Sequence, residues 1–130
     1  MREPIVLLVY ERTAPVGVDG GVEPLIAVCA TEEEAKALEK ASAVRGRHAR
    51  WEEHRLRGTA DRTSPLVDGE TVYVVLLGDI DSSNSDPTGI AVYTDRETAE
   101  RHASRELHES GSSDYHAVRL AIGWRASSAP

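Results

Sequence analysis

A single cysteine, Cys29, stands in a chain of 130 residues, so no internal disulfide can staple the fold. It lies in an apolar run, which points to a buried, inert thiol rather than a nucleophile. No apolar run approaches the length of about 18 residues that a membrane-spanning helix needs. The opening apolar run follows Arg2 and Glu3, and no small-residue cleavage site comes after it, so it reads as a strand rather than a secretion signal. Lysine is scarce: Lys36 and Lys40 stand against 13 arginines. No two histidines have the spacing of a metal-binding pair. There is no phosphate loop, dinucleotide fingerprint, nucleophile elbow, kinase motif or Cys-x-x-Cys. These absences point to a cytoplasmic chain, and the sequence assigns it no catalytic residue and no cofactor.

What the chain does have is ordinary for a globular protein: 40% hydrophobic and 28% charged residues, and a net charge of -7. That charge disfavours nucleic acid and anionic membranes, whose phosphates are held chiefly by Lys and Arg. The charge is unevenly divided. Residues 1–57 carry 9 basic and 10 acidic side chains, whereas residues 58–130 carry 6 basic and 12 acidic.

Sliding the chain by 64 residues aligns it with itself. Ile26, Ala27 and Val28 fall on Ile90, Ala91 and Val92; Glu33 on Glu97; Ala35 on Ala99; Trp51 on Tyr115; Arg55 and Leu56 on Arg119 and Leu120. Upstream, the apolar run 5–10 matches 73–78 at an offset of 68, because the first connecting loop is four residues longer. Each copy opens on a long β-branched run and continues through a Gly/Pro/Asp-rich loop into a short second strand. A helix follows, started by Thr31 with Glu34 in one copy and by Asp95 in the other, and stopped near Gly46 and Gly111. A third strand closes each copy, over 50–56 and 115–122.

The expected fold is α+β: tandem β-β-α-β repeats over 1–57 and 71–124, a linker over 58–70 and a flexible tail over 125–130. A strand-helix-strand crossover makes the second and third strands parallel, with the first antiparallel between them. The first strands are apolar on both faces. One face takes the helix, and the other needs cover from the second copy, since each buried Val, Leu or Ile is worth roughly 1.5–3 kcal/mol. Two three-stranded mixed sheets related by a pseudo-two-fold axis are expected, either face to face or joined edge to edge into one curved sheet.

The repeated core, Ile26–Ala35 and Ile90–Ala99, resembles a broad group of small uncharacterised β-β-α-β proteins of bacteria and phages. Its marks are an opening apolar strand, a short strand of the type Ile-Ala-Val, and a capped helix start followed by Ala. The resemblance implies a fold, here in tandem duplicate, and no known activity.

Two regions carry candidate chemistry. The loop 79–86 is rich in oxygen ligands, and Asp79, Asp81, Ser83 and Asp86 are its candidate cation ligands. Solvated turns favour the same residue types. Arg45, Arg47 and Arg50, beside Trp51, form a basic stretch after the first helix. With the equivalent pairs Trp51/Tyr115 and Arg55/Arg119 they are the candidate partner-binding residues. His102 and Glu106 share a helix face at i, i+4, where an exposed pair is the expected arrangement. Together these features predict a non-catalytic protein-interaction module, of accessory, inhibitor or immunity type, with a protein partner and a homodimer among the options. The alternative is a protein that binds a metal or small ligand, with or without catalysis, through loop 79–86.

Overall fold

A computed structural model describes residues 4–58, 64–80, 86–112 and 114–126. The elements run β1 (Ile5–Glu11), β2 (Leu25–Cys29), α1 (Glu32–Val44), β3 (Ala49–Arg57), β4 (Thr71–Leu77), β5 (Thr88–Tyr93), α2 (Arg96–Ser110) and β6 (Tyr115–Ala121). The fold is α+β. No helix among the described residues is long and apolar enough to cross a membrane.

Local chemistry explains the helix boundaries. Thr31 Oγ1 accepts the Glu34 N–H at 3.3 Å, and Asp95 Oδ2 accepts the Thr98 N–H at 2.8 Å, so each helix start has a side-chain cap. Each helix ends just before a left-handed glycine, Gly46 at φ 75° and Gly111 at φ 77°, a conformation that side chains with a Cβ resist.

β1 lies antiparallel between β2 and β3, and β4 lies antiparallel between β5 and β6. The two triplets form one six-stranded sheet, the edge-to-edge arrangement rather than two sheets face to face, in the order β2-β1-β3-β5-β4-β6. They join edge to edge where β3 meets β5 in parallel, through the pairs Leu56↔Val92 and Arg57↔Tyr93. Pairing two bare edges satisfies backbone groups that two separate sheets would leave open.

The sheet curls until its outer strands are linked. After β6 the chain turns at Ile122–Gly123 and runs back along β2. There Ala27 bridges Arg125, Val28 N–H donates to Trp124 O at 3.0 Å, and Ala126 N–H donates to Ile26 O at 2.8 Å. Arg125 and Ala126, expected in a flexible tail, therefore complete the curl; the rest of that tail lies outside the described residues.

The curl encloses one core with contributions from all six strands: Val6, Leu8, Tyr10, Leu25, Val28, Leu56, Val72, Val74, Leu76, Val92, Leu120 and Ile122. Outside it, α1 covers Leu7, Val9, Ala27, Cys29 and Ala49, and α2 covers Val75, Ala91 and Tyr93. β1 and β4 are thus buried on both faces, as their composition requires. The two halves pair their strands in one register when β4 and β6 are matched to β1 and β3 at an offset of 66 rather than 68 and 64: Leu7 stands opposite Cys29 and Glu53, Tyr73 opposite Tyr93 and Arg119, and a bulge follows both Val9 and Val75. A two-residue difference preserves which side chains face inward.

Leu7 is 2% exposed and Val75 0%. Leu7→Asp and Val75→Asp each bury an unpaired carboxylate and are expected to cost more than about 4 kcal/mol, a large part of a domain's stability. Urea melts followed by circular dichroism check this; a cooperative transition near the wild-type midpoint in either variant contradicts the doubly covered strands.

Candidate functional site

The seam between β3 and β5 carries polar side chains on both faces of the sheet. Only two residue pairs form its ladder, and beyond them the inner face is bridged by side chains. Gly89 N–H donates to Tyr10 Oη at 2.9 Å, and Tyr10 donates to Glu52 Oε1 at 3.0 Å. Glu52 also meets His54 Nε2 at 3.3 Å and Arg50 Nη1 at 3.3 Å. Arg50 stacks 4.6 Å over the Tyr10 ring and pairs with Glu23 at 2.7 Å. Gly89 is needed for proximity: a Cβ there would run into Leu8 Cδ1 and stand 2.8 Å from Tyr10 Oη.

Burial, then the Glu52 carboxylate, push the Tyr10 hydroxyl well above its ordinary range, so it stays protonated and acts as a strut. Burial would raise Glu52, but hydrogen bonds from His54, Tyr10 and Arg50 outweigh it and hold the carboxyl below its usual range. Burial raises the Cys29 thiol, consistent with an inert cysteine.

On the outer face, four ladder partners stand in one row across four strands: Arg57 on β3, Tyr93 on β5, Tyr73 on β4 and Arg119 on β6. Arg57 lies 5.6 Å over the Tyr93 ring and Arg96, the first residue of α2, 5.7 Å over the Tyr73 ring. Arg57 Nη1 also donates to Tyr93 Oη at 3.2 Å. Behind Tyr93 a buried chain continues: Tyr93 Oη to His102 Nδ1 at 2.7 Å, then His102 Nε2 to Glu106 Oε1 at 3.2 Å. His102, expected on the surface, is buried, because β5 supplies a partner that helix spacing alone does not reveal. Among the described residues, none of Arg57, Arg96 and Arg119 forms an ion pair with a carboxylate.

The sequence-based candidates disperse. Arg45 is held by Glu11, and Arg50 by Glu23 and Glu52, so most of the expected basic stretch is neutralised within the molecule. Arg47 is half-buried. Trp51 packs at the edge of the cluster beneath α1, opposite Val9, whereas Tyr115 lies on β6, three strands from β3, opposite Leu77 of β4. They form no common groove. Arg55, exposed and engaged, lies opposite Ile5, and Arg119 shares its row with Arg57 instead. Asp79 is exposed and engaged, and Asp86 Oδ1 accepts the Glu23 N–H at 3.0 Å; Asp81 and Ser83 lie outside the described residues. Among the described residues no three His, Cys, Asp or Glu side chains converge as a metal site would need.

Comparison of the chain with protein-family models, curated proteins and solved structures finds no match. The chemistry of the site therefore rests on its geometry.

Tyr10→Phe leaves the Gly89 N–H without its acceptor and is expected to cost about 1–3 kcal/mol in urea melts. Gly89→Ala forces Leu8 and Tyr10 to move and is expected to cost about as much, roughly 1–3 kcal/mol. Because folding lowers the Glu52 pKa, its contribution is present above the ordinary glutamate value of 4.5 and fades as pH falls through the lower folded value. The stability gap between wild type and Glu52→Gln should therefore narrow from about pH 5.5 to about pH 3, and a constant gap contradicts this role.

Proposed function

We propose that the protein is a non-catalytic interaction module that grips an acidic polypeptide segment of a partner protein across the outer face of the β3–β5 seam. One observation carries this reading: the row Arg57–Tyr93–Tyr73–Arg119, with Arg96 stacked above it, presents three guanidiniums that pair with no carboxylate among the described residues, two of them held over the half-buried Tyr73 and buried Tyr93 rings, in a molecule of net charge -7. Stacking holds Arg57 and Arg96 over their rings, so less side-chain freedom is lost when a carboxylate binds. At a strand spacing of about 4.8 Å, the Cα atoms of Arg57 and Arg119 stand about 14 Å apart, the reach of roughly four residues of extended chain. Elsewhere an acidic segment meets a surface of predominantly negative charge, which favours docking at the seam over docking at other sites.

The same reading takes the two halves as copies of one β-β-α-β unit, one of which supplies Arg57 and the other Tyr73, Tyr93, Arg96 and Arg119. The offset of 64 residues and the matching order of elements support it.

Titration with poly-L-aspartate at low salt tests the reading. Wild type is expected to bind, with an affinity that falls as salt is added; the double variant Arg57→Gln/Arg119→Gln should lose at least about tenfold, since each charged contact is worth more than 1 kcal/mol. Equal affinity of the double variant and wild type, or no binding by wild type, overturns the proposal. Arg47→Gln/Arg105→Gln, away from the row, serves as the charge-matched control and should bind within about twofold of wild type by the weakness of exposed charge pairs.

A further inference from the structure

The buried chain behind the row joins Arg57, Tyr93, His102 and Glu106, and with a neutral imidazole and an ionised Glu106 every donor in it has one direction. A glutamate carboxylate only accepts, so His102 Nε2 carries a proton and donates to Glu106 Oε1 at 3.2 Å. A neutral imidazole then presents a bare Nδ1, and Tyr93 must donate its hydroxyl proton inward to it, at 2.7 Å. Arg57, which can only donate, fills a lone pair of the same phenolic oxygen at 3.2 Å. In this state the Tyr93 proton is committed to the interior, and Arg57 alone faces an incoming carboxylate.

One added proton reverses the middle of the chain. With His102 protonated, Nδ1–H donates to the Tyr93 oxygen and Nε2–H still donates to Glu106. The phenolic oxygen now accepts from both His102 and Arg57, and its own proton is released toward the outer face, beside the Arg57 guanidinium. The site thereby acquires a second donor for an oxyanion and a nearby positive charge. No heavy atom has to move by more than a hydroxyl rotation.

We infer that Arg57 and Tyr93 form a proton-coupled carboxylate site: binding of a partner's carboxylate is accompanied by uptake of one proton on His102. The inference rests on the reading of the seam as an acidic-segment surface and adds its ligand atoms and its regulation.

The fold itself does not require this chain. At the corresponding place 64 residues earlier stand Cys29 for Tyr93 and Leu38 for His102, and they pack in the apolar cluster beneath α1. A buried Tyr–His pair in the place of an apolar one costs desolvation that hydrogen bonds only offset, so stability alone does not account for it. The groups facing His102 are few. Its own helix presents Glu106. β5 presents Tyr93, with Arg57 of β3 behind the hydroxyl. β4 presents Tyr73 and Val75, and β6 presents Ala117 with Tyr115 and Arg119 further along the same face. The coupling is reciprocal: an anion on Arg57 and a proton on His102 attract each other across the Tyr93 hydroxyl, so each favours the arrival of the other.

The test is titration with poly-L-aspartate from about pH 8 to about pH 5.5, the range in which histidine side chains change charge while aspartates stay ionised. Wild type should bind about tenfold more tightly at the lower pH, the worth of one added hydrogen bond to a charged group. Calorimetry in two buffers of different ionisation enthalpy should show net proton uptake on binding near pH 7. Tyr93→Phe and His102→Gln should each retain binding through the arginines and lose most of the pH dependence and of the proton uptake. If His102→Gln fails to fold, Tyr93→Phe decides, since it leaves every imidazole in place. Wild-type binding with no pH dependence, or a dependence that both variants keep, overturns the inference and leaves the acidic-segment reading standing. Absence of wild-type binding at every pH overturns both.

Discussion

Two strands without a polar face determine the rest of this structure. β1 and β4 bury both faces, and a single helix covers only one. Residues such as Val6, Leu8, Val74 and Leu76, all 0% exposed, are covered because the sheet curls on itself and makes one shared interior. Neither triplet of strands could supply that interior alone. Curling in turn brings β3 against β5 and the chain after β6 against β2, so the junctions between halves are consequences of the core rather than separate interfaces.

The parts legible in the sequence were those with a local signal. Strand alternation, the caps at Thr31 and Asp95, the glycine stops and the doubly apolar strands all declare themselves within a few residues. The choice between face-to-face and edge-to-edge packing did not, because the edges of β3 and β5 carry no pattern that distinguishes pairing with each other from lying open. The two-residue difference between the self-alignment and the register that forms was invisible for a related reason. Side chains alternate with a period of two, so a shift of two changes no residue's face and leaves no trace in the hydrophobic pattern. Arg45 and Arg50 were misread as a free basic stretch because their partners Glu11 and Glu23 arrive from another strand and a long loop.

The candidate site was legible only in fragments for the same reason. His102 and Glu106 are neighbours on a helix and were visible as a pair, but the partner that buries the imidazole, Tyr93, belongs to a different element. Arg57 reaches Tyr93 only across the seam. Searching for like residues at equivalent positions selected Arg55 and Arg119, whereas the row that forms combines unlike positions of the two halves. A junction between similar units is poorly encoded in their similarity, because the junction is where their environments differ.

The seam has few backbone hydrogen bonds and many side-chain ones. Its ladder is two residue pairs long, extended by Thr94 N–H to Arg57 O at 3.0 Å, and its inner face depends on Tyr10 reaching the Gly89 backbone. A continuous ladder would make the junction rigid and leave its residues no freedom to respond to a ligand. Here the inner strut Tyr10, braced by Glu52 and Arg50, joins the two halves at Gly89, while the outer face carries Arg57, Tyr93, Tyr73 and Arg119. A carboxylate chain lying on that row would touch residues of both halves at once, adding links to a junction that its own backbone joins only briefly. If an acidic segment binds there as proposed, binding at the row and cohesion of the curled sheet are linked, because a ligand of the folded state stabilises it by mass action.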